Sequence, residues 1–132
     1  MAPAKRILVI NGHPDPSSEH LCAALAQAYV CGATAAGYEV ATLDVGALDF
    51  PLIRSLKDYK SGEVTEDMAR AQEAVKHARH LVFVFPIWFG SPPALLKGFF
   101  EQLLRYGFSW SSPQAALSSV LTGKSVRLIV TM

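Results

Sequence analysis

Four short apolar runs, separated by helical patterns and polar loops, organise this chain. Residues 7–10 (Ile-Leu-Val-Ile) are continuously apolar, as a strand buried on both faces is, and they end in Asn11-Gly12. After the polar stretch from His13 to Ser18, Leu21, Ala24, Leu25, Ala28 and Tyr29 recur at helical spacing. That helix is predicted to end near Gly32 or Gly37. Residues 38–45 alternate polar and apolar positions and predict a second, half-covered strand. Residues 46–65, interrupted by Pro51 and Gly62, predict an irregular loop, and a loop of that length is usually functional or mobile. Met68, Ala71, Val75 and Ala78 mark a second helix, and residues 81–85 (Leu-Val-Phe-Val-Phe) a third, buried strand. Residues 86–93 form a loop rich in aromatics, glycine and proline. Leu95, Leu96, Phe99, Phe100, Leu103 and Leu104 then predict a strongly apolar helix, and residues 126–130 a fourth strand.

The resulting order, βαβαβαβ, implies an α/β fold: a doubly wound parallel sheet with helices on both faces and right-handed crossovers. A sheet ending at its fourth strand leaves one face short of a covering helix. The expectation is therefore one domain over residues 1–132 that is C-terminally truncated, lacking the last strand and helices of such a fold.

Composition narrows the function. Apolar residues make up 51% of the 132, which argues against disorder. Twelve Lys and Arg balance eleven Asp and Glu, without the basic excess of a nucleic-acid binder. The one basic cluster, Lys76, His77, Arg79 and His80, falls at a predicted helix end, where cations suit the helix dipole. His77 and His80 read as surface residues there. No run of about 18 apolar residues is present to span a membrane, and the N-terminus does not read as a signal peptide. Cys22 and Cys31 lie nine apart in one predicted helix, about 13 Å along its axis, too far for a disulfide. Both read as buried small apolar side chains in a reducing, cytoplasmic setting. No zinc-ligand spacing occurs, so no metal site is expected.

In open α/β sheets, ligands bind beyond the carboxyl ends of the strands. Three segments lie there. The first, Asn11 to His20, offers a histidine, two serine hydroxyls and backbone N–H groups at a helix N-terminus, which together suit an anion such as phosphate. Ser17 or Ser18 can equally be a plain helix cap. The segment matches neither GxGxxG nor GxxxxGK(S/T), so neither dinucleotide-fold nor P-loop binding is indicated. The second, Phe85-Pro-Ile-Trp-Phe-Gly-Ser-Pro-Pro93, carries Trp88 and Phe89 beside Gly90 in a proline-stiffened loop. Aromatics there suit a flat ring, and glycine lets backbone approach it; packing on the core or on a partner subunit is the alternative. The third begins at Thr131.

These segments resemble the NAD(P)H:quinone oxidoreductase (DT-diaphorase-like) family of flavodoxin-like proteins. The resemblance runs along essentially the whole chain. It rests on His13 with Ser17 and Ser18, on Pro86-Ile-Trp-Phe89, and above all on Pro93-Ala-Leu-Leu-Lys-Gly98-Phe-Phe-Glu101. Gly107-Phe108 and Gly123-Lys124 match the family's pattern further on. The resemblance implies a flavodoxin-like sheet of order 2-1-3-4 and a flavin, FAD or FMN. It places His13, Ser17, Ser18, Glu19 and His20 around the flavin phosphates. It places Pro86, Ile87, Trp88, Phe89 and Gly90 against the isoalloxazine ring, with Thr131 opening a second ring-contacting loop. It further implies NADH or NADPH as electron donor, a quinone-like acceptor and a homodimer; the aromatics between residues 99 and 110 are compatible with a dimer surface and equally with the core.

The implied reaction is a two-electron transfer from the nicotinamide, by way of the flavin, to the acceptor. The cofactor carries that chemistry, so no side chain is assigned as a catalyst. Two alternatives share the fold: a flavodoxin-like electron carrier, and a regulatory or interaction subunit without flavin. A near-neutral chain carrying the Pro-Ala-x-Leu-Lys-Gly run argues against the carrier.

Overall fold

The structure is a computed structural model and describes residues 5–105 and 122–132. Gly107 and Phe108 lie outside the described residues. Strands β1 (Arg6–Asn11), β2 (Glu39–Asp44), β3 (His80–Pro86) and β4 (Ser125–Thr131) form one sheet of order β2-β1-β3-β4. Every pairing is parallel, with Ile10 opposite Leu43 on one side and opposite Phe83 on the other. The crossovers are α1 (Leu21–Ala35), α3 (Glu66–His77) and α4 (Ala94–Leu103), and a short α2 (Leu56–Ser61) lies between β2 and α3.

Side-chain alternation along the strands divides the core in two. Leu8, Ile10, Leu81, Phe83 and Phe85 point to the face covered by α3 and α4, where they pack with Met68, Val75, Leu96 and Phe99. Ile7, Val9, Val82 and Val84 point to the other face, with Cys22 and the half-buried Leu25 and Tyr29 of α1. This is why the β1 and β3 runs are apolar without interruption. β4 differs: Val126, Leu128 and Val130, in register with Leu81, Phe83 and Phe85, are exposed.

Helix ends follow local chemistry. Thr65 caps α3 by accepting the Met68 N–H; Glu66 and Asp67 lie in its first turn, Lys76 and His77 in its last. Two of the basic cluster, Lys76 and His77, lie at that C-terminus, and two cations from outside the cluster bond its carbonyls. Arg6 Nε donates to the His77 carbonyl at 2.7 Å, and Lys124 Nζ donates to the carbonyls of Lys76, at 2.9 Å, and Ala78. Burial, then the neighbouring Arg79 and Arg6, hold the Lys124 amine below the usual lysine value. His80 is not a helix-end residue: it opens β3, and its Nδ1 lies 2.7 Å from the Ser125 hydroxyl.

Three further expectations change. The 46–65 segment is not wholly irregular; α2 occupies Leu56–Ser61, capped by the Ser55 side chain on the Asp58 N–H. It buries no residue, so no apolar period announces it. Cys31 is exposed while Cys22 is buried, because nine residues at about 3.6 per turn leave the two on opposite faces of α1. The α1 N-cap is His20, without a side-chain bond, so neither Ser17 nor Ser18 caps the helix. Of the two readings open for the aromatics between 99 and 110, the core applies to Phe99, which is fully buried, and to Phe100, which packs against the same cluster; Tyr106, Phe108 and Trp110 lie outside the described residues.

Candidate functional site

β1, β3 and β4 end side by side at Asn11, Pro86 and Thr131. The Ile87 N–H donates to the Thr131 carbonyl at 2.8 Å, and the Thr131 hydroxyl lies 3.5 Å from Sγ of Cys22 in the first turn of α1. The three segments read from the sequence therefore converge on one edge of the sheet.

The 11–20 loop is held by a ladder of bonds, each from a backbone N–H to a side chain two residues earlier. His13 N–H donates to Asn11 Oδ1 at 3.1 Å and Asp15 N–H to His13 Nδ1 at 3.0 Å. Ser17 N–H donates to Asp15 Oδ1 at 3.0 Å and Glu19 N–H to Ser17 Oγ at 3.3 Å. Such local bonds are what Asn, Asp and Ser make in turns. Pro14 and Pro16 have no N–H to satisfy. The ladder thus engages the odd positions and proline removes two of the even ones. Among the described residues, the N–H groups of Ser18, His20, Leu21 and Cys22 find no protein acceptor. These remaining donors sit at the positive end of the α1 dipole, which suits an anion.

Two histidines flank them. The rings of His13 and His20 stack at 4.0 Å between centroids and 14° between planes. His20 Nε2 lies 2.8 Å from Asp15 Oδ2. That bond, followed by the one from the Ser17 N–H, holds the Asp15 carboxyl below the usual carboxylate value. Burial, then the charge of His20, holds His13 below the ordinary histidine value. With Nδ1 accepting from Asp15 N–H, the neutral His13 ring carries its proton on Nε2, a further donor.

The second loop turns back on itself. Trp88 and Ser91 exchange both backbone bonds, N–H of Trp88 to O of Ser91 at 2.8 Å and the reverse at 3.1 Å. The two central residues, Phe89 at φ 52° and Gly90 at φ 75°, both lie in the left-handed region. This is the geometry of a primed hairpin turn, which suits glycine and is strained for phenylalanine. The turn presents Trp88 at 45% exposure and Phe89 fully exposed. Nothing beyond its chain neighbours lies within 4 Å of where a side chain on Gly90 would sit, so the tip of the turn is open there. The His13 ring meets that of Trp88 edge-on at 5.5 Å, joining the two loops.

The structure brings His13, His20, Trp88, Ile87 and Thr131 together. Ser17 takes part through the ladder, Pro86 is the buried end of β3, and Phe89 and Gly90 form the exposed turn. Among the described residues, no hydrogen bond or ring contact joins the side chains of Ser18 or Glu19 to the Trp88 loop. Three contributors escaped the sequence reading: Asn11, Asp15 and Gly46. A Cβ on Gly46 would sit 2.2 Å from the Pro14 carbonyl oxygen, so only glycine lets the turn after β2 support the loop. The Asn-x-His-x-Asp-x-Ser spacing was the signal for the first two.

A larger cavity of about 910 Å³ lies at the opposite, amino end of the strands, lined by Arg6, Tyr29, Arg79 and His80 among others. Arg6 there is committed to an α3 carbonyl. No helix among the described residues is long and apolar enough to cross a membrane.

The family model described as Flavodoxin-like fold matches residues 5–132. NAD(P)H dehydrogenase (quinone) 1 of Cavia porcellus is 33% identical over 132 aligned positions, covering 84% of this chain and 47% of its own length. Ribosyldihydronicotinamide dehydrogenase (quinone) of Pongo abelii is 27% identical over 147, covering 96% and 63%. The chain thus spans less than two thirds of either relative. Among solved structures, Smu.1420 from Streptococcus mutans UA159 is similar with a TM-score of 0.70 and 28% identity, over 96% of this chain and 68% of that one.

Proposed function

The chain belongs to the flavodoxin-like fold family, and we propose that it binds a flavin, FAD or FMN, and passes two electrons from NADH or NADPH to a quinone-like acceptor. The observation that carries this reading is the meeting of His13 with Trp88, which sets an anion-binding loop against an open aromatic turn. A flavin has those two parts, a phosphate tail and a flat ring. The residues fit it: free N–H groups and the His13 Nε2–H for the tail, and an exposed indole beside an unobstructed glycine for the ring. The names of the relatives in Cavia porcellus and Pongo abelii point to the same chemistry.

His13, Ser17, Ser18, Glu19 and His20 would surround the phosphate end, Ser18 and Glu19 through main-chain atoms or from the rim. Pro86, Ile87, Trp88, Phe89 and Gly90 would hold the ring, with Thr131 at its β4 side. When bound, the flavin supplies the hydride-accepting and electron-releasing chemistry. The chain's part is to orient it. The Ile87 and Trp88 N–H groups are engaged by Thr131 and Ser91, so those of Phe89 and Gly90 would be the ones to stabilise negative charge on the reduced ring. Donor and acceptor would use one shared site over the bound ring in turn, which predicts ping-pong kinetics. In this reading residues 1–132 belong to one flavodoxin-like domain, and the natural assembly is a cytoplasmic homodimer.

The test is oxidation of NADH or NADPH by the flavin-loaded chain in the presence of a benzoquinone. Parallel lines in double-reciprocal plots are expected. Retained flavin without nicotinamide oxidation would instead make the protein an electron carrier, and failure to retain flavin would make it a flavin-free subunit.

A further inference from the structure

We propose that Asp15 is a positioning residue for the phosphate of the bound flavin, acting through His20 and His13; this rests on the functional reading above. Asp15 touches both rings of the stacked pair. Its carboxylate lies 2.8 Å from His20 Nε2, and its N–H donates to His13 Nδ1 at 3.0 Å. Its other carboxylate oxygen accepts the Ser17 N–H at 3.0 Å. One residue thereby sets the orientation of His20, the tautomer of His13 and the course of the chain into α1. His13 in turn meets Trp88 at 5.5 Å, so a shift of the imidazole pair reaches the ring-binding turn.

Charge alone argues for the opposite role. A free carboxylate beside a phosphate repels it, and removing such a group tightens binding. In Asp15 the carboxylate is engaged by His20 and by the Ser17 N–H, and hydrogen bonds to an ionised group are the stronger kind. Positioning and repulsion therefore predict opposite signs for the same substitution.

The experiment compares FMN with riboflavin, which lacks only the phosphate, by quenching of flavin fluorescence on the flavin-free chain. Asp15→Ala is expected to weaken FMN about tenfold, the scale of one hydrogen bond to a charged group, with riboflavin within about twofold. Asp15→Asn keeps an acceptor for the Ser17 N–H and is expected to stay within about threefold of the native chain for FMN. A second readout needs no flavin. Long-range proton–nitrogen correlations of the imidazoles should show native His20 protonated on Nε2, where it faces the Asp15 carboxylate, and a mixture of His20 tautomers in Asp15→Ala, which keeps the backbone N–H that bonds His13. The proposal is overturned if Asp15→Ala binds FMN as well as or better than the native chain. Equal loss of FMN and riboflavin, or an unchanged His20 tautomer, overturns it too. A native chain that binds none of FMN, FAD and riboflavin overturns the functional reading and this proposal with it; native FMN or FAD binding beside an unaffected Asp15→Ala overturns this proposal alone.

Discussion

The imidazole of His13 stands edge-on to the indole of Trp88, 87° between planes and 5.5 Å between centroids. One residue follows β1 and the other follows β3, so 75 positions of sequence separate the two halves of the site. Their contact fixes the distance between the anion-binding donors and the aromatic face. Trp88→Ala removes both the contact and the stacking surface. Flavin affinity should fall by roughly 1–2 kcal/mol, the scale of an aromatic pair. Unchanged affinity and unchanged kinetics in that variant would count against assigning the ring to this turn.

Gly46 tests the support beneath the loop. A methyl group there meets the Pro14 carbonyl oxygen at 2.2 Å and its carbon at 2.8 Å, both backbone atoms. Gly46→Ala must displace the 13–14 segment and should destabilise the fold by about 1–3 kcal/mol, as overpacking does. Urea unfolding measures the loss. Flavin affinity should fall as well, because His13 moves with Pro14.

Phe89 combines a strained backbone with a fully exposed ring. Neither feature helps the fold, and such strain is often retained where it serves a ligand. Phe89→Asn places a residue tolerant of that conformation in the turn and should stabilise the chain by about 1 kcal/mol. The same variant should bind nicotinamide nucleotide less well. A loss of stability in urea would show that the ring contributes to packing after all.

Acid should loosen the 11–20 loop. Folded His13 titrates below the ordinary 6.5 because of burial and the nearby His20, so the unfolded chain binds more protons between the two values. Stability therefore falls as pH drops from about 6.5 towards the folded value. Asp15 acts lower on the scale. Its folded value is depressed, chiefly by the His20 bond, so its contribution is present above the ordinary 3.8 and is lost as pH falls through the folded value. Urea midpoints measured from about pH 7.5 downward should decline, and His13→Asn, which keeps an acceptor without titrating near 6.5, should flatten the upper part of that decline. Matching profiles for the two proteins would contradict this.

The sheet was legible because β1 and β3 are buried on both faces, which leaves runs such as Ile7–Ile10 without a polar break. The aromatic turn was legible because Trp88 and Phe89 at a strand end have no reason to be exposed unless something covers them. α2 was not, since a six-residue helix that buries nothing leaves no apolar period. Cys31 was misplaced because membership of a helix was considered without its angle around the axis. Asp15 and Asn11 were passed over although their spacing of two is written in the sequence, because only the folded loop shows that each side chain accepts the N–H two residues on.

Crystals of the chain grown with FMN test the central claim most directly. The flavin ring should lie against the 87–90 turn, with its phosphate within hydrogen-bond distance of the Leu21 and Cys22 N–H groups. A ring bound elsewhere, or a phosphate directed away from the start of α1, would contradict it.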